Sequence, residues 1–269
     1  MINMNPKILG EMLNACKNGN WQIVDDLLKD MSVDDSNYLN ENNETFLMIA
    51  AGGGGWYRIV TSLVKHGVNV NLKNKEGVTA MQKAARKGYR KAAEYLIKYG
   101  GAVVQSEDND GNNVLHITSQ NPDLVDKSML TFLIDVWNER KFDIDKTNKY
   151  GDTPLHVAAS CGNPEAVKKL LEKGANCQLK NYKNETVLQK AALHSKVLEI
   201  LLKHMKEHHI DIVDSPNADG DNPAHIAAKA GNHDALKLLI ENGGLNLLMI
   251  DNSGTCLFLL NYIHMIVQY

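Results

Sequence analysis

The chain has 269 residues and a formal net charge of −3, and its 43% hydrophobic and 23% charged residues are ordinary for a soluble protein. A nucleic-acid-binding protein usually carries a basic excess or a basic stripe, so this charge balance disfavours nucleic acid as a partner. The sequence also lacks the roughly 18 consecutive apolar residues of a membrane span, and residues 1–20 lack the apolar run of a signal peptide. We therefore expect neither a nucleic-acid nor a membrane partner.

The four cysteines are scattered along the chain and form no CxxC pair: Cys16, Cys161, Cys177 and Cys256. Scattered cysteines in a chain of this length indicate a reducing compartment. Together with the missing signal peptide, they predict a cytoplasmic location. The nucleus and delivery into a host cell stay open as alternatives.

A repeated pattern runs through most of the sequence. Residues 148–162 read NKYGDTPLHVAASCG, and residues 217–231 read NADGDNPAHIAAKAG. Weaker copies begin at residues 40, 74, 108 and 181. One polar residue in each copy can cap a helix, and these positions are 33 to 40 residues apart: Thr45, Thr79, Asn113, Thr153, Thr186, Asn222 and Cys256. A period near 33 residues is the signature of a repeat protein.

Each copy has the chemistry of a helix pair. Thr153 precedes Pro154, which suits a helix cap followed by a first-turn proline. Gly162 can end this helix, because glycine adopts the left-handed conformation without strain. Apolar residues spaced by three and four predict a second helix over residues 165–173. One such pair cannot bury its apolar face alone, so neighbouring copies are expected to stack.

The TPLHxAA core and this period closely resemble the ankyrin-repeat family. The resemblance implies an all-α fold with short β-hairpin tips, a solenoid of about seven repeats plus a partial C-terminal unit. We expect an N-terminal capping helix pair over residues 1–39. The expected repeats span residues 40–73, 74–107, 108–147, 148–180, 181–216 and 217–250. Residues 251–269 form a partial or diverged terminal repeat with an apolar end.

Two repeats carry insertions, within residues 127–146 and near residues 204–217. Insertions in repeat proteins map to loops that can bind partners, and neutral drift on an exposed loop is the open alternative.

Three patterns could indicate a metal, catalytic or phosphate-binding site, and each has a simpler structural explanation. His204 and His208 share the i, i+4 spacing of metal ligands, but no third ligand is near, so a surface helix end is favoured. Cys161 lies near His156, but the resemblance gives that histidine a structural role. The run 52–55 is all glycine and lacks the lysine of a phosphate-binding loop. We therefore expect no catalytic residue, no cofactor and no metal.

In the ankyrin family, hairpin tips and first helices line a concave surface that binds proteins. The resemblance carries this surface to positions in three repeats: Lys75, Glu76, Arg86, Lys87, Lys149, Tyr150, Asp152, Tyr182, Lys183, Glu185, Leu193 and His194. Tyr150 and Tyr182 lie on neighbouring tips and are the strongest hot-spot candidates, because interfaces are enriched in tyrosine. Each ring lying flat on its own hairpin is the alternative. Asn71, eight residues after Leu63, has the spacing of the family's asparagine hydroxylation sites, although Asn69 stands where an acidic residue is usual; a plain turn asparagine is the alternative.

The predicted function is a non-catalytic scaffold or adaptor that binds a protein partner, and we expect a monomer. One alternative is the targeting domain of a larger enzyme or ubiquitin-ligase component, suggested by the apolar end of the chain. Another is a host-directed effector of an intracellular bacterium or virus, suggested by the abundance of asparagine and lysine.

Overall fold

The computed structural model describes residues 5–124, 128–211, 216–242, 250–252 and 254. The chain divides into two compact units, residues 1–135 and 136–269. The helices of the first unit are α1 (Pro6–Asn18), α2 (Trp21–Leu28), α3 (Val33–Ser36), α4 (Phe46–Gly53), α5 (Tyr57–Lys65), α6 (Ala80–Lys87), α7 (Arg90–Lys98) and α8 (Val114–Ser119). Helix α9 (Ser128–Glu139) contains the division. The second unit has α10 (Pro154–Ser160), α11 (Pro164–Glu172), α12 (Val187–Ala191), α13 (Ser195–Glu207), α14 (Pro223–Lys229) and α15 (His233–Glu241).

Six of the predicted capping residues start a helix. Thr45, Thr79, Asn113, Thr153, Thr186 and Asn222 each directly precede a first helix. Their side-chain oxygens accept hydrogen bonds from backbone N–H groups in the first turn, which have no partner within the helix. The capping predictions are confirmed at these positions, and Cys256 lies outside the described residues.

After five of these six caps, the third residue completes the helix start; the exception is Met48 after Thr45. His156 is fully buried, its Nδ1 lies 3.3 Å from the N–H of Thr153, and its Nε2 lies 3.2 Å from the carbonyl oxygen of Glu185 in the next repeat. Gln189 occupies the same position one repeat later and donates from Nε2 to the carbonyl oxygen of Asp221 at 2.6 Å. Histidine and glutamine at this position therefore join the helix start to the following tip.

The first unit is built from two layers of helices. Helices α1, α4, α6 and α8 pack side by side as first helices, and α2, α5 and α7 form the second layer. Small residues allow the close packing, because Ala50, Ala51, Ala84 and Ala85 are completely buried between neighbouring helices.

The second unit repeats this arrangement. Helices α10, α12 and α14 form one layer, and α11, α13 and α15 form the other. Leucines of the second layer, such as Leu170 and Leu201, are completely buried and close the core. The described residues therefore have the predicted all-α fold with short tips.

Each tip is a tight turn held by one side chain. Asn148 Oδ1 accepts hydrogen bonds from the N–H groups of Tyr150 and Asp152, at 2.9 and 3.1 Å. Asparagine and aspartate favour such turns because their side chains bond to the backbone two and four residues further on. The same turn is made by Asn40, Asn74, Asp108, Asn181 and Asn217. An isolated antiparallel β-bridge also joins Lys180 to Thr186.

The insertions lie in longer second helices. Helix α9 has 12 residues and α13 has 13, compared with nine in α11. Trp137 on α9 is 1% exposed, stacks edge-on against Phe142 at 5.1 Å and donates from Nε1 to the carbonyl oxygen of Asp143 at 2.9 Å. This part of the first insertion therefore packs internally. Residues 212–215 of the second insertion and nearly all of residues 251–269 lie outside the described residues.

Candidate protein-binding surface

Backbone hydrogen bonds tie neighbouring tips to each other. In the second unit the N–H of Tyr182 donates to the carbonyl oxygen of Tyr150 at 3.1 Å, and the N–H of Ala218 donates to that of Lys183 at 3.0 Å. The first unit has the same bond from Asn109 to Glu76 at 2.9 Å. Within each unit the tips therefore form a row with fixed spacing.

Two tyrosines stand out on the tips of the second unit. Tyr150 is 56% exposed and Tyr182 is 76% exposed. The Tyr182 ring lies against Gly151 of the preceding tip, where an added Cβ would be 2.7 Å from its Cδ1 atom. Part of the ring therefore packs on the neighbouring tip, and most of the residue faces solvent.

The charged residues predicted beside these tyrosines differ in their surroundings. Lys149 and Lys183 are exposed, whereas Asp152 and Glu185 are half-buried. Lys190 pairs with Glu185 at 2.7 Å and with Asp152 at 3.8 Å. Burial raises the pKa of Glu185, but hydrogen bonds from Lys190 and Asn181 and the charges of Lys190 and Lys183 outweigh it, so the pKa is lowered overall. Both half-buried carboxylates therefore form ion pairs with Lys190 beneath the tips.

Leu193 and His194 follow α12 in the second unit. Leu193 is 55% exposed, an apolar side chain open to solvent. His194 is half-buried, with its Nε2 3.0 Å from the carbonyl oxygen of Ser160 and its ring against Gly162. His194 thus has a structural contact at the position predicted for partner binding.

The predicted residues of the first unit border a groove of about 430 Å³. Glu76, Arg86 and Lys87 line it, together with Lys17, Glu44, Met48, Ile49, Gly52, Gly53, Val78 and Lys83. Lys75 is exposed on the tip beside Glu76. The structure brings most of the predicted residues of this unit to one groove.

A set of contacts between repeats was not predicted from the sequence. Four side chains in the turn between first and second helix bond a carbonyl oxygen at the end of the preceding first helix. These bonds run from Trp56 Nε1 to Lys17 (3.3 Å), Asn121 Nδ2 to Arg86 (3.0 Å), His194 Nε2 to Ser160 (3.0 Å) and Asn232 Nδ2 to Ala192 (3.1 Å). The residue type that makes this bond differs from repeat to repeat, so only an alignment of the repeats could have predicted these contacts.

Asn71, the predicted modification site, is half-buried at the base of a tip. Its Nδ2 donates to the carbonyl oxygen of Gly101 at 3.1 Å, and its Oδ1 accepts from the N–H of Val103 at 2.9 Å. Both bonds reach the next repeat, so the side chain links two repeats. Hydroxylation of Asn71 stays a prediction.

The histidine pair considered as metal ligands lies on α13. The rings of His204 and His208 stack at 4.2 Å, and His208 Nδ1 lies 2.9 Å from the carbonyl oxygen of His204. Burial and the neighbouring charge of His208 lower the pKa of His204. In the part of the chain that the structure describes, no three His, Cys, Asp or Glu side chains are grouped to hold a metal ion. No helix among those residues is long and apolar enough to cross a membrane.

Stacked pairs of capped helices with linked tips define an α-helical repeat protein. The family profile for ankyrin repeats matches three times, over residues 12–108, 100–181 and 174–251. The chain therefore belongs to the ankyrin-repeat family, whose members are generally protein–protein interaction modules.

Individual relatives agree with this assignment. The nuclear factor NF-kappa-B p105 subunit of Gallus gallus is 32% identical over 141 residues, which are 51% of this chain and 14% of that protein. An ankyrin repeat protein of Rickettsia felis is 35% identical over 147 residues, 54% of this chain and 45% of that protein. The chain thus matches less than half of either relative. The crystal structure of the human ASB11 ankyrin repeat domain shares the fold, with a TM-score of 0.73, 21% identity, and coverage of 90% of this chain and 100% of that domain.

Proposed function

We propose that this chain is a non-catalytic scaffold or adaptor that binds a protein partner on its tips and first helices. The observation that carries the proposal is the pair of exposed tyrosines on linked tips. Tyr150 and Tyr182 present large apolar rings with polar hydroxyls to solvent, and the hydrogen bond between their tips fixes them relative to each other. Fixed aromatic anchors bind at a low entropic cost.

The surroundings of the two rings also suit an interface. Lys149 and Lys183 flank the tyrosines, and Leu193 adds an exposed apolar side chain on the same unit. A central aromatic cluster with a charged rim is the usual anatomy of a specific protein interface. Asp152, Glu185 and His194 contribute by holding the tips in place.

The test is an affinity capture from cells of the source, comparing wild type with Tyr150→Ala/Tyr182→Ala and reading bound proteins by mass spectrometry. Loss of one tyrosine anchor is expected to cost about 2 kcal/mol of binding free energy, so a partner on this surface should be lost from the double variant. The affinity of the captured partner for wild type and for the double variant is then measured with purified proteins by calorimetry.

Tyr99→Ala is the matched control, because Tyr99 is 70% exposed but lies at the end of α7 in the first unit. A partner held by wild type and Tyr99→Ala but not by the double variant supports the tyrosine surface. A partner held equally by all three places the binding site elsewhere. No partner bound by wild type at any concentration would contradict the binding function.

A second candidate is that the chain acts as the targeting part of a longer protein or as a host-directed effector. The match to less than half of both relatives favours a longer parent, and the match to a Rickettsia felis protein favours the effector. Sequencing the complete reading frame tests the first. Locating the tagged protein in infected host cells tests the second, together with the proposed cytoplasmic location.

A further inference from the structure

The glycine run at the end of α4 has two parts with different causes. A Cβ added to Gly54 would be 2.5 Å from the Trp56 ring, and one added to Gly55 would be 2.4 Å from Tyr89. Packing therefore excludes side chains at these two positions. A Cβ on Gly52 would lie 3.2 Å from the Lys83 Cβ, a tight contact, whereas one on Gly53 has no atom within 4 Å. Packing therefore does not explain Gly53.

Gly52 and Gly53 occupy helical positions where other repeats carry side chains. Counted from the capping threonines, they correspond to Arg86 and Lys87 on the neighbouring helix α6. Glycine is among the poorest helix formers, so both positions weaken the end of α4. Their effect is to leave an open trough beside Arg86 and Lys87, and both glycines line the groove of about 430 Å³.

The groove has an excess of positive charge. Its basic side chains are Lys17, Lys83, Arg86 and Lys87, and its acidic ones are Glu44 and Glu76. Lys83 is already paired with Glu44. Among the described residues, Lys17, Arg86 and Lys87 have no carboxylate at ion-pairing distance, and the buried Nε of Arg86 has no hydrogen-bond partner. Arg86 as a whole is half-buried, and a guanidinium group can bind a carboxylate in a bidentate manner.

The base of the groove is apolar. Met48, Ile49 and Val78 line it, each at most 9% exposed, together with Gly52 and Gly53. A ligand that fits both features carries carboxylates at its edges and an apolar side chain in the middle. An extended peptide places alternate side chains on opposite sides and can satisfy both contacts.

From this geometry we infer that the groove between α4 and α6 binds an extended acidic segment of a protein partner. The segment lies over Gly52 and Gly53, with its carboxylates on Arg86, Lys87 and Lys17 and an apolar residue against Met48. The inference rests on the proposed binding function and specifies the partner's chemistry in the first unit. The apolar base formed by Met48, Ile49 and Val78 suits an apolar side chain, which favours a peptide over a nucleic acid.

The test is selection of a phage-displayed library of random short peptides on the immobilised full chain. Enriched peptides are expected to contain at least two Asp or Glu residues around an apolar one. Synthetic copies with a fluorophore are then titrated by fluorescence polarisation. Gly53→Leu should fill the trough, and Arg86→Glu/Lys87→Glu should reverse its charge, so each should weaken binding by roughly tenfold or more.

Two matched controls separate the groove from general effects. Cys161→Leu introduces the same side chain at the position in α10's repeat that corresponds to Gly53, and Lys196→Glu reverses an exposed charge on α13. Both should bind the peptides like wild type, and circular dichroism should show Gly53→Leu to be folded. Enrichment of neutral or basic peptides, or equal binding to Gly53→Leu, overturns the inference. So does tighter binding of a fluorescent oligothymidine than of any selected peptide.

This experiment distinguishes failure of the groove from failure of the binding function. If Tyr150→Ala/Tyr182→Ala releases a captured partner while Gly53→Leu changes neither capture nor peptide binding, only the groove assignment is wrong. If wild type captures no protein and enriches no peptide, the binding function itself fails.

Discussion

The backbone N–H of Tyr182 donates a 3.1 Å hydrogen bond to the carbonyl oxygen of Tyr150, which joins two tips whose side chains are both mostly exposed. Each turn is closed separately by its own asparagine, Asn148 or Asn181. The tips that carry the two proposed anchors are thereby linked in the free protein, which would lower the entropic cost of binding a partner there.

The contact between Gly151 and Tyr182 gives a first prediction about these tips. Gly151 has φ +77°, and an added Cβ would lie 2.6 Å from the backbone nitrogen of Tyr182. Gly151→Ala therefore adds a backbone clash to the strain of a left-handed alanine. We expect it to lower the free energy of unfolding by about 2–3 kcal/mol, measured by urea denaturation.

Gly174→Ala is the control for this prediction. Gly174 has φ +87° with no atom within 4 Å of an added Cβ. Gly174→Ala should therefore lower the free energy of unfolding only by the left-handed strain, about 1 kcal/mol. Equal destabilisation by the two variants would show that the tip contact contributes nothing.

The helix starts could be predicted from the sequence because their chemistry is local. Thr153 and His156 are three residues apart and bond to each other, so this contact needs no knowledge of the tertiary structure. The exposure of Tyr150 and Tyr182 was also predictable, since a tip position in a repeat faces solvent.

Contacts between repeats could not be predicted in the same way. Trp56 lies against Gly19, and the two are 37 residues apart, so the pair becomes visible only when the stacking register is known. The pairing of Lys190 with Glu185 and Asp152 likewise depends on the directions of three side chains. For this reason, the half-burial of Asp152 and Glu185 could not be predicted from the sequence.

Burial of His156 predicts a dependence of stability on pH. Burial lowers its pKa from the ordinary 6.5 and outweighs the opposite effect of the Asp152 charge. The folded state therefore binds a proton less well than the unfolded state. The stability contributed by the neutral ring is complete above pH 6.5 and declines as the pH falls toward the lower folded-state pKa.

His156→Gln should remove this decline, because Gln82 and Gln189 make the equivalent bonds in other repeats. We expect the variant to lose about 1 kcal/mol or less at neutral pH. Between about pH 7 and pH 5 it should then lose less stability than wild type in guanidinium unfolding. Parallel losses in the two proteins would contradict a role for His156 in the acid sensitivity.

Asn232 tests the bonds that link each turn to the preceding first helix. Its Nδ2 donates to the carbonyl oxygen of Ala192, while its Oδ1 caps α15 by accepting from the N–H of Ala235. Asn232→Asp keeps the cap and removes the donor, whereas Asn232→Ala removes both and also the acceptor of the Ser195 Oγ hydrogen bond. We expect losses of about 1 kcal/mol and about 2 kcal/mol in thermal unfolding, respectively. If Asn232→Asp is as stable as wild type, the inter-repeat bond has no energetic role.

Trp137 tests whether the first insertion is a structural element or a loose loop. The indole is 1% exposed and touches Phe142, and its Nε1 donates to the carbonyl oxygen of Asp143. Trp137→Ala leaves a large cavity and should cost about 3–5 kcal/mol. Trp137→Phe keeps most of the ring and loses the hydrogen bond, which should cost about 1 kcal/mol in addition to a small packing defect. Urea unfolding followed by circular dichroism measures both. Losses within about 0.5 kcal/mol for both variants would mean that the insertion does not support the fold, and would favour its role as a partner-binding loop.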